Sequence, residues 1–126
     1  MDADQRGASL RLVPHLCAGA MTIYADGELD LSTGPALERL IKASLRVPDL
    51  HMVVIDCARL RFLDAAGLGV LVRCYRQLQD DGRSLTVRET HGEVAEALIA
   101  TGVGEILGMA LRVPTWWTRK AQLSAP

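Results

Sequence analysis

The chain has 126 residues, 49% of them hydrophobic and 23% charged, the make-up of one folded domain with a single core, which excludes a disordered or fibrous chain. Its net charge of −1 lacks the basic excess that broad binding to nucleic acid or anionic membranes requires. No apolar run approaches the ~18–20 residues of a membrane span, and the start, with Asp2 and Asp4, lacks the basic and apolar regions of a secretion signal. A cytoplasmic protein without membrane insertion is expected.

Residues 1–9 are polar and read as a flexible tail. Residues 10–13 form a candidate strand stopped by Pro14, and residues 20–25 a second one, with Met21 and Ile23 pointing one way and Thr22 and Tyr24 the other. Residues 15–19 between them would turn a hairpin. The segment 26–35, which holds Glu28 and Asp30, reads by composition as a polar strand-to-helix loop with Asp30, Ser32 and Thr33 as capping candidates. A helix over 33–44 follows, with Pro35 tolerated in its first turn and Leu37, Leu40, Ile41 and Leu45 as its buried stripe.

The stretch 52–75 organises the rest. Met52, Val53, Val54 and Ile55 are a short apolar, β-branched run of the kind found in a strand covered on both faces. After a connector, Asp64 is a good N-cap, able to accept from the N–H of Ala66 or Gly67 at the start of a helix. Leu68, Leu71, Val72, Tyr75 and Leu78 then recur at helical spacing as one apolar stripe, leaving Ala66, Gly69, Arg73, Arg76, Gln77 and Asp80 on the opposite face. The first turn (Ala65, Ala66, Gly67, Gly69) is nearly bare of side chains. Two readings stand: a docking face for another molecule, or small residues that let the helix pack tightly on its own sheet.

Asp80, Asp81 and Gly82 make a turn, and residues 85–88 a strand with Leu85 and Val87 on one face. Thr90 and Glu93 have capping-box spacing for a helix with Val94, Ala97, Leu98 and Thr101 on one face, closed by Gly102. Residues 104–113 supply a last short strand or helical turn, and a C-terminal tail runs over 113–126. Trp116 and Trp117 in that tail either fold back on the domain or anchor an interface. The three cysteines (Cys17, Cys57, Cys74) have no metal-ligand spacing and read as buried or half-buried free thiols, with a redox pair of Cys57 and Cys74 as the alternative. His15, His51 and His91 read as solvated loop residues.

No catalytic constellation assembles from these residues. Gly67 and Gly69 lack the spacing of a phosphate-binding loop, and no nucleophile-elbow pattern occurs. Asp56 and Asp64 flank the end of the central strand, where α/β folds often bind ligands, but Asp64 already serves as a cap. The order β-β-α-β-α-β-α predicts an α/β layer fold, with the later strands parallel and the opening pair antiparallel.

Val54, Ile55 and Asp56, followed by the run from Phe62 through Asp64, Gly67, Leu68 and Gly69 to Leu71, resembles the signature of STAS domains, and more closely that of bacterial anti-sigma factor antagonists. The segment Gly27, Glu28, Leu29, Asp30 matches the family as well. The resemblance, carried by residues 10–111, implies a mixed four- to five-stranded sheet with helices packed mainly on one face, in a STAS domain spanning 10–112. It implies a regulatory binding module, not an enzyme, with no cofactor and no metal. The partner it implies is an anti-sigma factor that is a histidine-kinase-like serine kinase, and it leaves a homodimer open. The partner-binding residues it implies are Glu28, Asp30, Asp64, Ala65, Ala66, Gly67, Gly69 and Arg73. In the family two serines commonly follow the residue matching Asp64, and the second is phosphorylated by the partner. Here both are alanine, Ala65 and Ala66, with Ala66 as the phosphoacceptor equivalent. That departure keeps a second expectation open, a non-phosphorylated accessory STAS subunit of an ABC-type lipid transport complex.

Overall fold

Alternating apolar residues dictate the sheet. The computed structural model describes residues 9–108; the tails expected at either end, with Trp116 and Trp117, lie almost wholly outside the described residues. Strand β1 (Leu10–Cys17) and strand β2 (Ala20–Leu29) form an antiparallel hairpin. Ala18 and Gly19 close it, both at positive φ (51° and 82°), the sign that lets a two-residue turn match the twist of its strands. β1 does not stop at Pro14, as the sequence suggested, but runs through it, with Pro14 opposite Ile23. The reason is position: β1 is the outer strand of the sheet, where a missing N–H can face away from the ladder. β2 is also longer than expected, and Met21, Ile23 and Ala25 on one side are buried while Tyr24 on the other is exposed.

Helix α1 (Gly34–Ser44) leads to strand β3 (Met52–Leu63), helix α2 (Ala65–Asp80) to strand β4 (Ser84–Arg88), and two short helices, α3 (Gly92–Thr101) and α4 (Val103–Ile106), follow. The strand order is β1-β2-β3-β4, with β2, β3 and β4 mutually parallel. Both crossovers advance in one direction across the sheet, so connections of the usual right hand put α1 and α2 on the same face. The architecture matches the expected mixed α/β sheet with helices on one face.

β3 differs most from the sequence reading. Residues expected as a connector continue the strand, paired with the extended end of β2 from Asp26↔Arg59 to Leu29↔Leu63. The ladder shifts register twice on the way, between Tyr24 and Asp26 and between Gly27 and Glu28. Each shift places an extra β3 residue on the outer side, so Cys57, Leu60 and Leu63 point inward at every third position while Ala58, Arg59, Arg61 and Phe62 are exposed. The apolar run 52–55 is not covered on both faces: Val53 and Ile55 are buried, Val54 is half-buried and Met52 is exposed.

One hydrophobic cluster joins the inner sheet face to all four helices. On α1 it takes Leu37 and Ile41, with Leu40 and Leu45 partly buried. On α2 the buried residues are Gly67, Val70, Leu71, Cys74 and Leu78. The expected stripe is therefore rotated: Leu71 and Leu78 hold, Leu68 and Tyr75 sit at the rim, Val72 is half-exposed, and Val70 and Cys74 take the centre. Cys57 and Cys74 are buried free thiols, each pushed up to about 12 by burial and so protonated at neutral pH. Cys17 departs from the expectation and is exposed, because it ends the outer strand.

Helix α3 buries Val94 and Leu98 and closes on Gly102 at φ 75°, as read. Its capping box does not form. The N-cap is His91 rather than Thr90, with no side-chain cap bond, and the His91 Nε2 lies 2.9 Å from the Ala58 carbonyl oxygen of β3. His91 is exposed but tied to the sheet rather than merely solvated. Beyond α4, the Leu107 carbonyl accepts from Val87 N–H at 3.1 Å and so partners the outer edge of β4.

Leu71 is 2% exposed, so Leu71→Ala should destabilise the fold by about 2–5 kcal/mol, read from the midpoint and slope of a urea unfolding curve.

Candidate functional site

The start of α2 is held in place by two contacts. Asp64 Oδ1 accepts from the Gly67 N–H at 2.8 Å, which satisfies one free donor of the helix and fixes Ala65 and Ala66 as its first two residues. Gly67 itself is buried against the end of β2: a Cβ there would lie 2.3 Å from the Leu29 carbonyl oxygen and 2.8 Å from Leu63 Cδ1. Only glycine permits that approach. Gly34 does the same for the two helices, since a Cβ there would fall 2.5 Å from Val70 Cγ2.

Gly69 is different. The nearest atom to a Cβ built on it is the Arg73 Nη1, at 3.3 Å, the free end of a flexible side chain. The bare helix start therefore has two parts: Gly67 is small because the sheet requires it, whereas among the described residues no neighbour requires Gly69 to be small.

Opposite this bare face stands the loop between β2 and α1. Asp30 Oδ1 accepts from Ser32 N–H at 2.9 Å, Thr33 N–H at 3.1 Å and the Ser32 hydroxyl at 2.8 Å. These bonds, the Ser32 hydroxyl first, hold the Asp30 carboxyl below its ordinary value. The Thr33 hydroxyl donates to the Glu28 carbonyl at 2.8 Å and accepts from Asp30 N–H at 2.9 Å. The loop is thus a rigid turn, and it presents Leu31 at 79% exposure. Across the gap, Arg73 of α2 and Glu38 of α1 form a two-bonded ion pair, Nη2–Oε1 at 3.2 Å and Nε–Oε2 at 3.3 Å.

These elements enclose a cleft of about 230 Å³ lined by Leu31, Pro35, Glu38, Ala65, Ala66, Gly69, Val70 and Arg73. Of the residues singled out from the sequence, Ala65, Ala66, Gly69 and Arg73 line it. Asp64 stands behind it as the cap of its α2 wall, Asp30 ties the loop before α1 without capping that helix, Gly67 is buried beneath it, and Glu28 lies in β2 outside the lining, with its carbonyl in the loop network. Leu31, Pro35, Glu38 and Val70 were not anticipated. An apolar residue between Asp30 and Ser32 in an otherwise polar loop was the signal for Leu31; the Glu38–Arg73 pair, 35 residues apart, had none.

The cleft offers shape and an apolar post rather than reactive groups. Among the described residues no group of His, Cys, Asp or Glu could hold a metal ion, and no helix is long and apolar enough to cross a membrane.

A four-stranded mixed sheet with its helices on one face, and a capped, bare helix start following the central strand, defines the STAS-like class of α/β folds. The chain belongs to that family: the family model described as "Mlab, STAS domain" matches residues 17–110. It is 24% identical over 89 residues to an anti-sigma F factor antagonist of Paenibacillus polymyxa, covering 71% of this chain and 76% of that one. A crystal structure of an anti-sigma factor antagonist from Mycobacterium paratuberculosis superposes with a TM-score of 0.69 at 25% identity, over 79% of this chain and 83% of that one. The antagonist SpoIIAA in its unphosphorylated form shares the fold with a TM-score of 0.67 at 15% identity, over 94% of this chain and 99% of that one.

The contrast between the two glycines is measurable. Gly67→Ala should destabilise the protein by about 1–3 kcal/mol through overpacking against β2, whereas Gly69→Ala should leave it unchanged or stabilise it by up to about 1 kcal/mol through helix propensity, both read by thermal and urea unfolding.

Proposed function

We propose that this chain is a regulatory binding module that engages an anti-sigma factor through the cleft between α1 and α2, in the manner of an anti-sigma factor antagonist. The observation that carries the reading is Gly69, a half-exposed helix residue left without a side chain although a Cβ there would meet only the flexible end of Arg73. A bare backbone there gives a partner close approach, with Leu31 beside it as an apolar anchor. Glu28 and Asp30 are half-buried on the strand and loop that frame the cleft, Asp64 caps its α2 wall, and Ala65, Ala66 and Arg73 line it. The relatives named above support the class of partner, and a serine kinase of the histidine-kinase-like type is the form we expect.

The complex has no phosphorylation switch at the start of α2. Ala66 is the second residue of that helix, where a phosphate would be welcomed by the free N–H groups, but alanine offers no hydroxyl to accept one. Binding is accordingly constitutive with respect to this position. The protein acts by occupancy, without a cofactor or a reaction of its own, in the cytoplasm. A second reading, an accessory STAS subunit of an ABC-type lipid transport complex, is favoured by the same alanine pair, since such a subunit needs no phosphoacceptor.

Affinity capture from the native lysate separates the two by the identity of what is recovered, an anti-sigma kinase or a transport ATPase. Gly69→Arg should leave the unfolding midpoint within error of wild type and abolish recovery; a folded variant that still captures the partner would remove the cleft from the interface. Ala66→Ser should likewise fold normally. Intact-mass measurement after incubation with the captured kinase and ATP should show no phosphate on the wild type, and one phosphate on wild type would mean that another residue carries the switch.

A further inference from the structure

The sheet face that α1 and α2 leave uncovered carries a second concave site, of about 490 Å³, lined by residues of β1, β2 and β3 including Arg11, Tyr24, Asp26, Asp56 and Arg59. Its volume falls in the range of about 300–1,000 Å³ typical of small-molecule sites. It lies apart from the α1/α2 cleft and is independent of the function proposed above.

Strand register builds its floor. Tyr24, Asp56 and Arg88 are direct neighbours across β2, β3 and β4. The Arg88 Nε donates to Asp56 Oδ2 at 2.9 Å, its Nη2 donates to the Tyr24 hydroxyl at 3.4 Å, and its guanidinium lies 5.8 Å from the centre of the Tyr24 ring. Asp56 Oδ1 is engaged by the Ala58 N–H at 3.0 Å. This row is internally neutral and well fixed, and because the Tyr24 hydroxyl accepts from Arg88, its own O–H stays available as a donor beside the cavity that Tyr24 lines.

The two register shifts of β3 build the rim. They turn Arg59 and Arg61 outward beside Asp26, where Arg61 Nη1 lies 3.2 Å and Arg59 Nη1 4.0 Å from its carboxylate. Arg11, opposite Asp26 in the hairpin, completes the group. Among the described residues this face sets Arg11, Arg59, Arg61 and Arg88 against Asp26, Asp56 and Glu28, which follows Asp26 on the same side of β2, a local excess of one positive charge (four minus three) on a chain whose net charge is −1. Asp56 is paired with Arg88 and Asp26 chiefly with Arg61, its contact to Arg59 being the longer at 4.0 Å, so the arginines that line the cavity, Arg11 and Arg59, are not the ones that hold its carboxylates most closely.

We propose that this cavity binds a small phosphate ester, with Arg11 and Arg59 as its charge partners and the Tyr24 hydroxyl as a further donor. A phosphate monoester carries a charge of about −1.5 to −2 at neutral pH and several strong acceptor oxygens, enough to engage Arg11, Arg59 and a hydroxyl donor together, which the two oxygens of a single carboxylate would not. Guanidinium groups also suit phosphate by geometry, because their paired N–H donors meet two oxygens at once.

The probe is inorganic phosphate, titrated at constant ionic strength into ¹⁵N-labelled full-length protein. Saturable shifts are expected at the amides of Arg11, Tyr24, Asp26, Ala58 and Arg59. The double variant Arg11→Gln/Arg59→Gln, both exposed positions, should keep the wild-type melting temperature and bind about tenfold or more weakly through loss of charge-assisted hydrogen bonds, while Gly69→Arg, on the other face, should bind like wild type. The proposal is overturned by shifts that fail to saturate, by shifts equally produced with chloride at the same ionic strength, or by an affinity unchanged in the folded double variant. If only an acidic peptide, and not phosphate, shifts these amides, the face is a protein-docking surface and the small-molecule assignment falls.

Discussion

The close approach of α2 to the end of β2 is the constraint on which the rest of the molecule depends. A backbone carbonyl, Leu29, occupies the space where a side chain on residue 67 would be, and Asp64 locks the helix start in the same place by accepting from the Gly67 N–H. With that contact in place, Val70, Leu71, Cys74 and Leu78 face the core, and Ala65, Ala66 and Gly69 border the cleft. Shift the helix outward by the width of one methyl group and both the packing and the cleft would change together. The same small-residue device recurs at Gly34 against Val70, so α1 is positioned by α2 and not by the sheet alone.

A cleft made this way is stiff. The β2–α1 loop is tied by the Asp30 carboxylate and the Thr33 hydroxyl, each with several partners, and the two walls are clasped by the Glu38–Arg73 pair. The pair is largely exposed and contributes little to stability by itself; the approach of the helices is set by Gly34 against Val70, and the pair bridges them at the surface. Exposing Leu31 on a rigid turn is unfavourable in the free protein, but little conformational freedom remains to be lost when a partner covers it.

The uncovered sheet face is organised by different means. Among the described residues no helix shields it, so its order comes from cross-strand pairs, with Asp56 nearly buried although it lies on the open side. Arg88 makes that burial tolerable by lying against the carboxylate, and Tyr24 supports Arg88 in turn. The register shifts then crowd arginines onto one end of the face. The two sides of this domain thus present different chemistries, an apolar post beside a bare helix on one and arginines interleaved with carboxylates on the other.

Much of the fold was legible in the residues themselves. Alternation marked β2 and β4, Asp64 marked the start of α2, Gly102 the end of α3, and the order of elements implied the mixed sheet, because each of these signals acts within a few residues along the chain. The bare start of α2 was legible too, and so was the absence of a hydroxyl at residue 66. What only the tertiary structure decided involves residues distant in sequence. β3 runs on past residue 57 because the extended β2 lies beside it as a partner, and its stripe follows a spacing of three because the register shifts. The choice between Val70 and Cys74 on one hand and Leu68, Val72 and Tyr75 on the other depends on a rotation of α2 that Gly67 and Leu29 set between them. Which glycine is fixed by packing and which faces open space, and which arginines gather on the open face, follow from contacts across strands and helices, to which local periodicity is blind.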